Sequence, residues 1–150
     1  MSLYSGCEIP DDLFYDLDYV WVRPEADETL TVGITDPAQS FAGRILNVRI
    51  KPIGKRIVAG RQVATLESGK WAGGVPLPFE GEIVVRNEAL FDSPQLLNID
   101  PYRDAWIARV RPVDPCHALD SLYAGRDALE QLREWIDRYG IQCMRCSEPA

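Results

Sequence analysis

Lys70 lies in a local sequence that could present its amine to a modifying enzyme. The run 63–66 before it consists of small, apolar and β-branched residues, which is typical of a β-strand. Gly69 is expected to supply the positive φ of a tight turn, and the glycines and prolines of 73–78 restrict the return strand to an edge or a bulge. The pattern predicts Lys70 at the tip of a β-hairpin, where acylation would remove its charge. For the Ser-Gly-Lys tripeptide alone, an unmodified surface turn is the alternative.

The cysteines and the single histidine are the other reactive side chains. Cys143 and Cys146 form one Cys-x-x-Cys pair, whereas a structural zinc site needs four ligands. On structural grounds we interpret 141–150 as a flexible tail with two incidental thiols. We interpret Cys7 as a small, half-buried side chain. His117 has no nucleophile motif to serve, so we interpret it as a surface residue at the start of a helix.

Composition narrows the class of protein. The chain has 150 residues, 46% of them hydrophobic, which suits one globular domain with a substantial core. Its net charge of −7 argues against a nucleic-acid partner, which would require a basic face. No apolar run approaches the length of a membrane span, and the N-terminus does not resemble a signal peptide. We therefore expect a cytoplasmic protein without membrane insertion.

The elements that would position Lys70 are mainly strands, which the pattern predicts at 19–23, 29–34, 45–50, 82–86 and 105–111. Alternation in the third places Leu46, Val48 and Ile50 on one face. Short helices are predicted at 35–43 and 92–97. In the first, Thr35 or Asp36 is the N-cap, Pro37 takes the first helical position and Gly43 ends the helix.

Three further segments complete the prediction. Residues 10–17 form either one helical turn or an extended segment. From 117 to 139 apolar residues recur at helical spacing, which indicates one amphipathic helix or a pair, with Gly140 as the C-cap. The basic run 51–56 is either a solvated loop or a docking surface.

Motifs spread over 9–112 carry a family resemblance. They are Ile-Pro-Asp-Asp-Leu at 9–13, Val-Trp-Val at 20–22, Val-Gly-Ile-Thr-Asp at 32–36, Gly-x-x-Ile-Val-x-Gly at 54–60, Glu-Ser-x-Lys at 67–70, Gly-Glu-Ile at 81–83, Asn-Glu-Ala-Leu at 87–90 and Asn-x-Asp-Pro-Tyr at 98–102. In this order they resemble the biotinyl/lipoyl carrier domains and, more narrowly, the H protein of the glycine cleavage system.

The resemblance implies a mainly β fold with flanking helices: a lipoyl-domain-like (barrel-sandwich hybrid) pair of antiparallel sheets with a C-terminal helix. Residues 1–150 would form one carrier domain, with a core at 9–112, a helical extension at 113–140 and the flexible tail at 141–150. It also implies lipoic acid in amide linkage to Lys70, attached by a lipoate-attaching enzyme that recognises Glu67. Biotin fits less well, because biotin carriers flank the lysine with methionines, where this chain has Gly69 and Trp71.

The resemblance also bears on the cargo. Glycine-cleavage H proteins have a histidine where this chain has Tyr19, and an aspartate after the lysine where this chain has Gly74. The sequence Glu-Ser-Gly-Lys-Trp at 67–71, with Gly6-Cys7 near the N-terminus, is similar to the lipoate-binding proteins of heterodisulfide-reductase-like sulfur oxidation.

We therefore expect a lipoyl carrier, not an independent enzyme, that serves a heterodisulfide-reductase-like complex and sulfur-transfer proteins. The alternatives are a glycine-cleavage H protein and an unmodified adaptor. Residues 68, 69 and 71 would surround the cofactor, and no metal is expected. Cys7, Cys143 and Cys146 could contact the dithiolane by thiol–disulfide exchange.

Overall fold

The computed structural model describes residues 2–17 and 19–144. In chain order its strands are β1 (Ser2–Tyr4), β2 (Cys7–Ile9), β3 (Phe14–Asp16), β4 (Val20–Pro24), β5 (Leu30–Ile34), β6 (Ile45–Ile50), β7 (Arg56–Ile57), β8 (Gln62–Ser68), β9 (Ala72–Pro76), β10 (Gly81–Arg86), β11 (Ala108–Pro112) and β12 (Tyr123–Ala124). Its helices are α1 (Asp36–Ala42), α2 (Ala89–Asp92), α3 (Leu96–Ile99) and α4 (Gly125–Tyr139).

The strands pair in an antiparallel manner in two main sheets. The longer sheet has the order β12-β3-β4-β5-β11-β10-β7, the shorter one has the order β6-β8-β9, and β1 and β2 form a small separate hairpin. Apolar residues from both main sheets, such as Val32 and Leu66, belong to one buried cluster. The predicted class, mainly β with antiparallel sheets and a C-terminal helix, is confirmed.

A second buried cluster lies under α4. Leu132 and Ile136 of the helix belong to it, together with Tyr15 and Trp21 of the longer sheet. The helix ends at Gly140 in the left-handed conformation, as its sequence predicts. The amphipathic stripe of this helix is therefore core packing against the sheet.

Local signals specify α1 well. Thr35 is the N-cap, and its side chain accepts a hydrogen bond from the backbone amide of Ala38. Pro37 stands in the first turn and Gly43, with φ 81°, is the C-cap. Each of these roles was predicted from residue type, with Asp36 as the other candidate for the cap.

Two predictions near the site are wrong. Leu46 does not share a face with Val48 and Ile50: it is 58% exposed. The pairing of β6 with β8 shifts by one residue between Ile45 and Asn47, and this β-bulge turns Leu46 outward. The helix predicted at 92–97 is instead interrupted by Ser93 and Pro94, so that α2 ends before them and α3 begins at Leu96.

The C-terminal part also differs from the prediction. The helical extension 113–140 is helical only from Gly125, because 114–122 form turns and β12 pairs with β3. The extended alternative for 10–17 applies, with β3 inside that segment. Within the predicted tail, Ile141 and Cys143 are buried; residues 145–150 lie outside the described residues.

Within the described ranges, none of the helices combines the length and apolarity that a membrane crossing requires.

Candidate functional site

Lys70 lies at the tip of a β-hairpin, as expected. β8 and β9 pair up to Glu67 and Ala72, and the chain reverses through the intervening residues. Lys70 and Glu67 are both exposed, three residues apart on the same tip. β9 is the edge of its sheet, which accommodates the glycine-rich return strand. An enzyme could therefore reach the Lys70 amine and the Glu67 carboxylate from one side of the protein.

The hydroxyl of Ser68 organises this tip. It is buried, donates a hydrogen bond to the carbonyl oxygen of Ala42 (2.6 Å) and accepts one from the backbone amide of Trp71 (3.0 Å). The amide of Lys70 points to the same hydroxyl (3.3 Å). The backbone amide of Ser68 donates to the carbonyl oxygen of Trp71 (2.7 Å). The tip is therefore fixed to the end of α1.

The expected role of Gly69 is wrong. Its φ does not lie in the left-handed region, unlike that of the glycines at 43, 54 and 60. The Ser68 hydroxyl accepts hydrogen bonds from the amides of Lys70 and Trp71, which holds the turn without a left-handed residue. Gly69 is exposed, and a Cβ there would meet no atom within 4 Å. The structure thus gives Gly69 no positional requirement.

Trp71 forms an aromatic pair beside the lysine. Its ring meets that of Tyr19 edge-on, with centroids 6.3 Å apart, and the Tyr19 phenol donates to the carbonyl oxygen of Gly74 (2.6 Å). The indole lies over Gly73, where a Cβ would collide with it. The glycine of the return strand therefore makes room for the ring. The structure brings together positions 19 and 74, at which the chain departs from the expected family pattern, with Trp71 beside them.

A cavity of about 240 Å³ opens next to Trp71. It lies between the hairpin, α1 and α4, and its lining residues are Leu17, Tyr19, Ile34, Ala38, Phe41, Ala42, Leu66, Trp71, Trp135 and Tyr139. None of these described lining residues carries a charge. The described part of the lining can therefore enclose an apolar group.

The sequence did not predict that α4 contributes to the wall of this cavity. The rings of Phe41, Trp135 and Tyr139 contact one another, with centroid separations of 5.0 to 6.0 Å. Trp135 and Tyr139 are one helical turn apart, a spacing that signals a shared face. Nothing local could assign this face to the hairpin, because the contact joins elements distant in sequence.

The start of α1 is held by a buried polar cluster. Asp36 accepts hydrogen bonds from the amide of Glu8 (2.7 Å) and from the side-chain nitrogen of Gln39 (2.7 Å). The Tyr102 phenol accepts from the amide of Asp36 (2.8 Å) and donates to the carbonyl oxygen of Glu8 (2.6 Å). Burial raises the pKa of Tyr102 well above its usual value, so the phenol stays protonated. These hydrogen bonds fix the N-terminal end of α1, and its C-terminal end accepts the hydrogen bond of Ser68.

Two of the described cysteines, Cys7 and Cys143, are bonded to each other. Cys7 and Cys143 form a disulfide, with Cα atoms 4.8 Å apart, and both are fully buried. The expected contact of these two thiols with a mobile dithiolane is therefore wrong for the oxidised protein. Cys146, the other cysteine of the Cys-x-x-Cys spacing, lies outside the described residues. Among the described cysteines Cys116 is unpaired, and it is exposed.

No cluster of three or more potential metal ligands occurs among the described residues. His117 is exposed, as expected, and its ring nitrogen lies 3.0 Å from a carboxylate oxygen of Asp114. It lies in a turn and not at the start of a helix, because α4 begins only at Gly125.

Comparison with known proteins agrees with this architecture. The family model described as "Glycine cleavage H-protein" matches residues 13–135. Glycine cleavage system H protein 2 of Aquifex aeolicus (strain VF5) is 50% identical over 141 residues, which cover 93% of this chain and 88% of that protein. Probable glycine cleavage system H protein 2 of Saccharolobus solfataricus is 43% identical over 148 residues, covering 97% and 99%.

A solved structure extends the similarity to three dimensions. The crystal structure of a glycine cleavage system H protein from Mycobacterium marinum superposes with a TM-score of 0.72 at 30% identity, covering 89% of this chain and 100% of that one. The family match spans most of the chain and includes the Lys70 hairpin. The chain belongs to the glycine cleavage H-protein family of lipoyl carriers.

Proposed function

We propose that Lys70 carries a lipoyl group in amide linkage and that the protein acts as a mobile carrier of that group. The observation that carries the proposal is the exposed lysine on a tip that Ser68 holds to α1. A lipoate-attaching enzyme would form the amide and remove the lysine charge. Glu67, exposed on the same tip, is our candidate for recognition by that enzyme.

The protein contributes position and the lipoyl group contributes chemistry. A dithiolane on a tethered arm can be opened by a nucleophile, carry a group on sulfur and be reoxidised. Tethering makes each delivery to a docked enzyme intramolecular, which raises the effective concentration of the group. The rigid sheet under the hairpin keeps the anchor point of the arm fixed. Catalysis itself would belong to the partner enzymes.

The cargo that the comparisons support best is the aminomethyl group of glycine cleavage. The relatives bearing the name glycine cleavage system H protein match this chain over 88% and 99% of their own lengths. The proposed partners are then the enzymes of that system, including the glycine decarboxylase that loads the arm.

A specific observation favours a second candidate, the transport of sulfur-bound intermediates to a heterodisulfide-reductase-like complex and sulfur-transfer proteins. The cavity beside the hairpin is apolar, and its described lining residues include no carboxylate to pair with an aminomethyl ammonium. Trp71 and Tyr19 form part of that wall, and Gly74 accepts the Tyr19 hydrogen bond where the family has an aspartate. An uncharged cargo suits this surface better than a cationic one.

An exchange assay separates the two cargoes. The lipoylated protein, verified by intact mass, is incubated with glycine decarboxylase, glycine and labelled bicarbonate, with an authentic H protein as the reference. Exchange comparable with the reference supports the aminomethyl carrier and contradicts the sulfur carrier. Negligible exchange, together with sulfur adducts detected by intact mass after the reduced arm is incubated with a sulfane-sulfur donor, supports the second candidate.

A further inference from the structure

We propose that Gly43 is a positioning residue for the lipoyl arm, an inference that rests on the proposed modification of Lys70. Gly43 ends α1 with φ 81°. A Cβ built on this glycine would find Lys70 Cε at 2.9 Å, Cδ at 3.7 Å and Cγ at 3.8 Å as its three nearest heavy atoms. The methylene stem of the lysine therefore occupies the space that a side chain at position 43 would fill.

The backbone at Gly43 is fixed from several sides. Its amide donates to the carbonyl oxygen of Gln39 (3.0 Å), and its carbonyl oxygen accepts from the side-chain nitrogen of Asn98 (2.8 Å). The side-chain oxygen of Asn98 accepts in turn from the amide of Ile45 (2.8 Å). The nearest atoms that a Cβ there would displace belong to the flexible lysine stem, and the positive φ adds backbone strain of its own.

The hairpin is held to the same point of α1. Ser68 donates to the carbonyl oxygen of Ala42, the residue before Gly43. The base of the arm and the protein surface beneath it therefore keep a fixed relative position. This restricts the directions in which the arm leaves the protein. Ala42 lines the apolar cavity, whereas Gly43 lines a separate groove together with Arg44 and Asn98.

Acylation would favour the contact between the Lys70 methylene stem and the backbone of Gly43, which we call the seat of the arm. An unmodified lysine keeps its ammonium in water and its stem follows the charge. In a lipoyl amide the charge is gone, and the stem becomes the first part of a longer, mostly apolar arm. Contact with the bare backbone of Gly43 is then favoured by burial of the methylene groups. The seat would orient the arm without binding its cargo.

The test compares Gly43→Ala with Gly60→Ala. Both glycines have a positive φ, 81° and 87°, but a Cβ at Gly60 would meet nothing within 4 Å. Gly60→Ala thus introduces a Cβ at a comparable positive φ without touching the lysine. The readout is the NMR order of the Lys70 methylenes and their NOEs to the residue 43 α-proton, before and after lipoylation. We expect loss of these NOEs and higher methylene mobility in Gly43→Ala, and wild-type values in Gly60→Ala.

Equal Lys70 methylene order and surviving stem NOEs in both variants would overturn the seat. If Gly43→Ala does not fold, the wild-type protein decides: Lys70 methylenes more ordered than those of the exposed Lys51 and Lys55 support the seat, and equal mobility overturns it. Intact mass spectrometry detects the attachment of the lipoyl group independently of the NMR measurements. A wild-type chain that takes no lipoyl group contradicts the proposed function, while the NMR data still report whether the lysine stem is seated.

Discussion

The Ser68 hydroxyl and the Ala42 carbonyl oxygen are 2.6 Å apart, and their hydrogen bond joins the tip of the β8–β9 hairpin to the C-terminal end of α1. The two residues are 26 positions apart in the chain. One buried hydroxyl therefore connects the candidate lysine to the helix that borders the apolar cavity. This hydrogen bond explains how a hairpin whose second strand is a sheet edge keeps a defined tip.

Ser68→Ala is expected to destabilise the protein by about 1–3 kcal/mol, because it leaves the Ala42 carbonyl and the Trp71 amide without their buried partner. It should also slow lipoylation of Lys70, since the tip would no longer be held to α1. Thermal unfolding and the initial rate with a lipoate ligase measure the two effects. Ser121→Ala, at an exposed serine, is the matched control. Wild-type values for both measurements in Ser68→Ala would show that the hydrogen bond does not organise the tip.

Reduction of the disulfide between Cys7 and Cys143 should lower stability. The bridge has a sequence separation of 136 residues, and its loss would free chain entropy in the unfolded state. We expect a loss of roughly 2–5 kcal/mol for Cys143→Ser relative to the oxidised protein. Denaturant unfolding with and without reductant measures it.

Cys116→Ser is the control, because Cys116 is exposed and lies outside the bridge. Truncation after Gly140 should resemble Cys143→Ser, since it removes the buried Ile141 and Cys143. A truncated chain as stable as the oxidised full-length chain would contradict the structural role of this segment.

Leu132→Ala should cost about 2–5 kcal/mol, as expected for a truncated core side chain. Leu132 is 2% exposed in the cluster that α4 shares with the longer sheet. Arg126→Ala, on the exposed face of the same helix, should change stability little. Urea unfolding of the three proteins makes the comparison. An unchanged midpoint in Leu132→Ala would mean that α4 does not stabilise the fold.

The sequence predicted best what depends on neighbouring residues. Thr35, Pro37 and Gly43 delimit α1 because capping acts within one helical turn. The strands around Lys70 follow from β-branched and apolar runs, and the resemblance to H proteins supplied their assembly. A local signal was also overlooked: Ser5 and Gly6, both with positive φ, form the tight turn between β1 and β2.

The rest depends on contacts that no local pattern specifies. The outward turn of Leu46 comes from a bulge in its pairing with β8, and the late start of α4 comes from the pairing of β12 with β3. The bridge from Cys7 to Cys143 joins the two ends of the described chain. The aromatic wall beside Trp71 likewise needs α4 to be placed against α1.

Intact mass spectrometry after incubation with a lipoate ligase, lipoate and ATP tests the central claim that Lys70 is the modified residue. Wild-type protein and Lys55→Arg, altered at an exposed lysine outside the hairpin, should each gain the mass of one lipoyl group. Lys70→Arg should fold as the wild type does, since the side chain is exposed and keeps its charge, and should gain none. A lipoyl adduct on Lys70→Arg, or none on the wild type, would contradict the account.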